Sequence, residues 1–297
     1  MPSGLLLVDK PGGPTSHGIV AQTRKALGLR KVGHAGTLDP MATGLLVLGV
    51  GQGTKLLTYC VGLDKAYEAT IRLGMTTSTD DAEGEADLIA APEILDGLGN
   101  DAVNDALQAF RGHIEQVPST VSAIKVDGKR AYERHRAGED VVLAARPVTI
   151  SALEVLALRR EGRWWDLDIR VECSSGTYIR AIARDLGAAL GVGGHLTALR
   201  RTRVGPFVVD DACAPDDIAE QRLQSLVDAS SALMPHIQLT AAQAHDMSHG
   251  KKVFLEAEPA LEDRPVACIS PDGQLVNISS ISDGVARTLV GFPREEV

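Results

Sequence analysis

Asp39 is the acid in this chain most sharply set apart by its neighbours. It stands in Gly33-His34-Ala35-Gly36-Thr37-Leu38-Asp39-Pro40, followed by Met41-Ala42-Thr43-Gly44. Pro40 disfavours helical geometry at Asp39 and pushes its backbone toward an extended conformation. Gly33, Gly36 and Gly44 allow tight turns or close approach of the backbone to a ligand. A carboxylate held this way can attack as a nucleophile, stabilise a cationic sugar or accept a proton. His34 has no second His or Cys nearby at ligand spacing, so a positioning or stacking role beside Asp39 suits it better than metal binding. The run Gly49-Val50-Gly51-Gln52-Gly53-Thr54-Lys55 has the glycine density of a phosphate loop without its order, since a P-loop needs four residues between its glycines and Gly-Lys before Ser/Thr. No Gly-x-Ser-x-Gly nucleophile elbow occurs.

These residues need elements to position them. Residues 5–8 read as a short buried strand ended by the Pro11-Gly12-Gly13-Pro14 turn. Thr15 or Ser16 can then cap a helix that runs to Leu27 and stops at Gly28. The apolar run 45–50 suits a buried strand, so Asp39 falls in a connection between core elements. Residues 67–73 and 165–173 alternate apolar and polar side chains, the period of a half-buried strand. The acidic stretch 76–87 reads as a solvated loop and 101–111 as a helix. Residues 112–147 read as an inserted excursion with a short helical piece at 130–137. Ile179, Ile182, Ala183, Leu186 and Leu190 have helical spacing up to Gly191, which places Tyr178 and Arg180 at the opening turn, where exposed amides favour anions. After Pro206 the chain turns acidic and loop-rich. From about Leu239 it carries strand candidates at 266–269, 275–281 and 285–290 separated by Asp-Gly turns, the texture of a small β-module. The alternating strands argue against an all-parallel sheet. The expected fold is a mixed α/β (α+β) catalytic domain over 1–232 with a largely antiparallel sheet, plus a β-module over 233–297.

The 297 residues carry a net charge of −9, which disguises strong segregation. Residues 1–63 and 170–205 each carry six basic against two acidic side chains, whereas 64–107 carry two against eleven and 206–297 six against fifteen. A basic groove on an acidic body would give this distribution. No apolar run reaches the ~18–20 residues that span a bilayer, and 5–8 is too short for a signal-peptide core, so an unexported, cytoplasmic protein is expected. Cys60, Cys173, Cys213 and Cys268 lack paired spacing and read as reduced packing residues. Aromatic residues make up only 3% of the chain, so stacking on nucleobases would fall to very few side chains. Tyr67 lies on the apolar face of its strand, where core packing alone could also place it.

Five separated motifs occur together in order. The Asp39 motif with Ala42-Thr43-Gly44-Leu45-Leu46 closely resembles the active-site motif of the TruB family of tRNA pseudouridine synthases, which isomerise uridine-55 of the T-loop. Lys65-Ala66-Tyr67, leading to Leu73-Gly74, is similar to the family's second motif. Gln116-Val117-Pro118-Ser119 with Ser122-Ala123-Ile124-Lys125 and Gly128-Lys129-Arg130-Ala131-Tyr132 resembles its thumb-loop region, and Cys173-Ser174-Ser175-Gly176-Thr177-Tyr178-Ile179-Arg180 and the stretch His195 to Arg201 complete the set. The match spans about residues 4 to 205, and the C-terminal part resembles a PUA-type RNA-binding module. The resemblance implies that Asp39 is the catalytic carboxylate, that Tyr67 stacks on a flipped-out uracil, that Tyr178 and Leu199 line its pocket, that Arg180 pairs with Asp39 and keeps it ionised, and that His34 contacts RNA near the displaced nucleotide. The atom Asp39 attacks stays open. The reaction consumes no cofactor and requires no metal. The partner implied is the T-arm of tRNA, with no obligate protein partner, no membrane and a monomeric state, and the backbone-contacting candidates are Lys10, Lys31, Lys55, Lys125, Lys129, Arg130 and Arg146. Two rivals remain: a protein that binds and remodels tRNA with modification secondary, and a nucleotide-dependent α/β enzyme using residues 49–55.

Overall fold

The computed structural model describes residues 1–119, 143–255 and 261–293, with the backbone alone of two short strands at 125–126 and 129–130. The leucine-rich start forms β1 (Gly4–Lys10), followed by α1 (Ser16–Leu27), β2 (Val32–Ala35) and β3 (Thr43–Val50). The Thr15 hydroxyl accepts from the Gly18 amide at the start of α1, and Gly28, at φ 65°, closes it. Gly28 can do so because a residue without Cβ enters the left-handed region freely. β1 pairs antiparallel with β3 from Gly4 opposite Val50 to Lys10 opposite Gly44. β2, absent from the sequence expectation, pairs with β3 as well, so His34 lies on a strand and the Asp39 connection shortens to residues 36–42.

The chain continues through α2 (Leu57–Val61), β4 (Lys65–Leu73), the small hairpin of β5 (Met75–Thr77) and β6 (Ala86–Ile89), α3 (Pro92–Asp96), α4 (Asn100–Gln108) and β7 (Gly112–Gln116). Then come β8 (Lys125–Val126), β9 (Lys129–Arg130), β10 (Arg146–Glu161), β11 (Trp164–Cys173), α5 (Ile179–Ala189), β12 (Gly194–Val204) and β13 (Phe207–Val208). The central sheet has nine strands in the order β1-β3-β12-β4-β11-β10-β7, with β2 attached to β3 and β13 to β12. Its pairings are antiparallel except where Arg200 and Arg201 run parallel to Thr43 and Gly44. The largely antiparallel mixed fold is therefore as expected.

Three further segments differ from the sequence expectation. Residues 112–116, placed in an excursion, are the edge strand of the sheet, so what remains of the excursion begins beyond them; the helical piece expected at 130–137 lies outside the described residues apart from Arg130, whose backbone is in β9. β10 was not foreseen, because register shifts between Ile150 and Ala152 and between Val155 and Ala157 break its alternation, as bulges do. The acidic stretch 76–87 is partly β5 and β6, and it folds onto β12 through the Leu196 amide donating to the Asp80 carbonyl, 3.0 Å.

The C-terminal part comprises α6 (Leu226–Leu233), β14 (His236–Gln238), α7 (Ala241–Ser248), β15 (Val253–Phe254), β16 (Pro265–Ile269), β17 (Leu275–Ser282) and β18 (Val285–Gly291). A second sheet forms in the order β14-β16-β17-β18-β15. Asp283 and Gly284, at φ 50° and 73°, make the two-residue turn between β17 and β18, where positive φ at both positions matches the strand twist. Ala267, Leu275 and Ile278 of this sheet and Phe292 just after it pack with Leu5, Leu7, Leu45, Val47 and Phe207 of the body in one buried cluster. All four cysteines are buried and free. No helix of the described residues is long and apolar enough to cross a membrane.

Candidate active site

Buried side chains that grip carbonyls shape the Asp39 connection. Lys10, fully buried at the end of β1, donates to the carbonyls of Pro11 (2.9 Å), Pro40 (3.1 Å) and Ala42 (2.6 Å). Arg201, on β12 and 1% exposed, donates to the carbonyls of Leu45 (2.8 Å), Gly36 (3.0 Å) and Thr37 (3.4 Å). The Ser16 hydroxyl accepts from the Leu38 amide at 2.8 Å and donates to its carbonyl at 3.1 Å. Gly44, at φ 99°, would place a Cβ 2.3 Å from the Arg201 carbonyl oxygen, so its missing side chain serves the approach of β3 to β12 and no ligand. The expectation for Lys10 is corrected: it anchors the connection and presents no charge to a surface.

Arg180, in the first turn of α5, faces two carboxylates. Its Nε lies 3.1 Å from Asp39 Oδ2 and its Nη1 lies 3.3 Å from Asp81 Oδ2, while Nη1 also donates to the Thr79 carbonyl at 2.9 Å. The side chains of Arg180 and Asp81 are 5% and 3% exposed, and that of Asp39 34%. Asp81 had been assigned to a solvated loop. It is buried, its carboxylate accepting from the Glu83 amide at 3.1 Å and from the Thr79 hydroxyl. The sequence held one signal for it, an Asp80-Asp81 pair among residues of turn-forming type, which acid-rich composition concealed. Burial raises the pKa of Asp39 above the usual carboxylate value, and the neighbouring Asp81 pushes it the same way; Arg180, Lys10 and Arg201 oppose them without reversing the sign. Arg180 acts in the expected direction, favouring the ionised carboxylate. Arg180 orients Asp39, and desolvation wins the balance.

A cavity of about 270 Å³ opens beside this pair, lined by Gly36 to Asp39, Val61, Lys65, Tyr67, residues 175–180, Leu199 and Arg201. That is a little under the ~300 Å³ at which small-ligand sites begin, enough for one flat ring. Asp39, Tyr67, Tyr178, Arg180 and Leu199, which the family resemblance assigns to one pocket, all line it. Tyr67 faces it from β4, directly across from Arg201 on β12, and burial raises the pKa of its phenol. Tyr178 precedes α5, where the buried Gln116 of β7 grips its backbone twice: Gln116 Oε1 accepts from the Tyr178 amide at 2.8 Å and Nε2 donates to its carbonyl at 3.0 Å. Lys65 donates to the carbonyls of Val61 (3.1 Å) and Leu63 (2.6 Å). Sequence reading gave Gln116, Lys65, Asp81 and Arg201 no role.

His34 stands apart from the cavity lining. Its ring meets that of His17 edge-on at 5.0 Å, and burial lowers its pKa, which favours the neutral ring. Lys31 and Arg146 are exposed, as phosphate contacts must be. Lys55 donates to the Gly291 carbonyl at 2.6 Å and sits 5.2 Å from the centre of the Phe292 ring, so it ties the second sheet to the first. Lys125, Lys129 and Arg130 have side chains outside the described residues. A Cβ on Gly49 would meet the Gly53 carbonyl oxygen at 2.7 Å and one on Gly53 the Gly4 carbonyl oxygen at 1.9 Å. The glycines of residues 49–53 therefore permit backbone packing and leave no phosphate cradle.

Comparison with known proteins agrees with this geometry. The model of the TruB family pseudouridylate synthase N-terminal domain matches residues 24–179, and that of the tRNA pseudouridylate synthase B C-terminal domain matches residues 180–239. A tRNA pseudouridine synthase B of Leifsonia xyli subsp. xyli is 55% identical over 296 residues, covering 99% of this chain and 98% of the relative. That of Arthrobacter sp. (strain FB24) is 52% identical over 300 residues, covering 98% and 97%. Among solved structures, a chain from a Cbf5-Nop10-Gar1 complex superposes with a TM-score of 0.72 at 26% identity, covering 98% of this chain and 85% of that one. With the first domain model matching more than half of the residues and relatives above 50% identity aligned along nearly all of them, the chain belongs to the TruB family of pseudouridylate synthases.

Proposed function

We propose that this protein is an isomerase that converts a uridine of tRNA into pseudouridine, with uridine-55 of the T-loop as its target. The observation that carries this reading is Asp39, oriented by Arg180 at the edge of a cavity with Tyr67, Tyr178 and Leu199 in its wall. The full-length relatives named tRNA pseudouridine synthase B support it. The reaction breaks the bond between ribose C1′ and uracil N1, turns the base and rejoins it through C5. Its product has the composition of its substrate, so no electron donor or energy source enters. A base inside a stacked loop must first leave the stack, costing a few kcal/mol that contacts in the pocket offset. Tyr67 supplies the stacking face, Tyr178 and Leu199 bound the ring, and Asp39 is the carboxylate that acts on the nucleotide. His34, outside the cavity, is placed to touch RNA flanking the displaced nucleotide.

Exposed Lys31 and Arg146, with Lys125, Lys129 and Arg130, are the proposed phosphate contacts. Residues 1–232 form the catalytic unit and 233–297 a PUA-like RNA-binding module in this reading, and the protein works as a cytoplasmic monomer. Incubation with an unmodified tRNA transcript, followed by mapping of pseudouridine by position, tests the proposal. A single site at position 55 is expected, and tRNA binding without modification would establish the remodelling protein in its place.

A further inference from the structure

Lys10, Lys65 and Arg201 are buried around Asp39, and none of them forms an ion pair within 4.0 Å among the described residues. Among the described residues, the ammonium groups of Lys10 and Lys65 are held by backbone carbonyls only. The Arg201 guanidinium is held by three carbonyls. The half-buried Asp39 and the buried Asp81 both face Arg180. A buried charge capped by neutral dipoles is costly unless a counter-charge arrives. Lys65 and Arg201 converge at one point: a Cβ on Gly36 would lie 3.5 Å from Arg201 Nη1 and 3.7 Å from Lys65 Cε. Both also line the cavity.

The proposed chemistry, on which this inference rests, delivers a negative charge to that cavity. If Asp39 displaces the base from C1′, the electron pair of the C1′–N1 bond stays on uracil and spreads to its carbonyl oxygens. If Asp39 adds to the ring, the pair moves to the C4 oxygen. If Asp39 removes a ribose proton, the base again leaves with the pair. Each route then frees Asp39, as C5 displaces it from C1′, as the ring expels it, or as it returns the proton to the ribose, and each ends with a C1′–C5 bond, loss of the proton from C5 and gain of one at N1, so atoms and electrons balance. We infer that Lys65 and Arg201 form a preorganised cationic wall that stabilises the uracil ring while it carries this negative charge. Fixed charges in a water-poor site need not reorganise when charge develops, which is why they accelerate bond breaking. Lys10 reaches the same site only through the connection it anchors.

Single-turnover rates with saturating enzyme, measured beside the dissociation constant for tRNA, separate this role from binding. Arg201→Gln is expected to slow the chemical step by about 100-fold, in the range seen on loss of one such stabilising donor, while tRNA affinity stays within about threefold. Arg201→Lys keeps the charge with fewer carbonyl contacts and should recover most of the rate. Arg201 also bears on the ionisation of Asp39, together with Arg180, Lys10, Asp81 and the charges around them. Its neutralisation should therefore move the acid limb of the rate profile to higher pH, and Arg201→Lys should leave it in place. Lys65→Met, which removes only two carbonyl contacts, gives an independent test should Arg201→Gln fail to fold, and should slow chemistry at least about tenfold with tRNA binding retained. Wild-type chemical rates in folded Lys65→Met and Arg201→Gln, or equal losses in Arg201→Gln and Arg201→Lys with the acid limb unmoved, would overturn the inference. Failure of the wild-type protein to make pseudouridine would instead overturn the function on which it rests.

Discussion

Asp39 gathers the strongest expectations at the scale of single residues. Asp39→Asn should abolish pseudouridine formation by at least about 1,000-fold with tRNA affinity kept, and a normal rate in that variant would remove Asp39 from the mechanism. Its raised pKa favours the protonated acid in the folded state. The stabilising share of that shift is therefore present below the ordinary carboxylate value and is lost as pH rises through the folded one. Asp39→Asn should accordingly melt no lower than wild type at neutral pH. The rate should fall with acidification at a pH above the ~4 of a free aspartate. Asp81→Asn is expected to move that limb to lower pH, since Asp81 raises the pKa of Asp39. The same change weakens a buried ion pair, at a cost of about 2 kcal/mol in denaturant unfolding. Lys10 illustrates how composition can mislead, because charge alone suggested an RNA contact and only the fold reveals it as a buried anchor for the carbonyls of Pro40 and Ala42.

Elements decide whether these residues meet. Gly44→Ala should destabilise the protein by about 3 kcal/mol or more, measured by thermal or denaturant unfolding. The added methyl would strike the Arg201 backbone at a φ that alanine disfavours. Gln116→Met should unpin the start of α5 and lower the rate more than it lowers stability, because the two hydrogen bonds it loses fix Tyr178 beside Arg180. How much of this was legible depends on the kind of signal. The alternation of β4 and β11 and the capped periodicity of α1 and α5 are local, so they appear in the sequence as they appear in the fold. β10 was hidden because its bulges break the period, and β2 because four residues are too few to show one. Asp39 stood out by its glycine and proline neighbours, and Arg180, Tyr67, Tyr178 and Leu199 through the resemblance of their motifs to the TruB family. Asp81, Gln116 and Arg201 escaped because their roles are contacts with groups far along the chain, and Lys65 because only the fold brings it to the cavity beside Arg201.

For the whole molecule, the shared cluster joining Leu5, Leu45 and Phe207 to Ala267, Ile278 and Phe292 predicts one cooperative unfolding transition. Removal of residues 233–297 should lower the melting temperature of what remains, and an unchanged one would show that the contact contributes little. The net charge of −9 requires that RNA be held by local basic surface, so tRNA affinity should weaken by about tenfold or more between 50 and 200 mM salt.

The parallel meeting of β3 and β12 has a further consequence for how the protein is made. Arg201 braces the Asp39 connection from a position 156 residues beyond Leu45, whose carbonyl it also holds. Contacts so distant form slowly, since chain closure must precede them. On the ribosome the acid therefore emerges early and waits unbraced until β12 follows. A truncated product ending before β12 carries every atom of the Asp39 motif and no working site, so the enzyme acquires its activity late in synthesis, when β12 enters the middle of the central sheet.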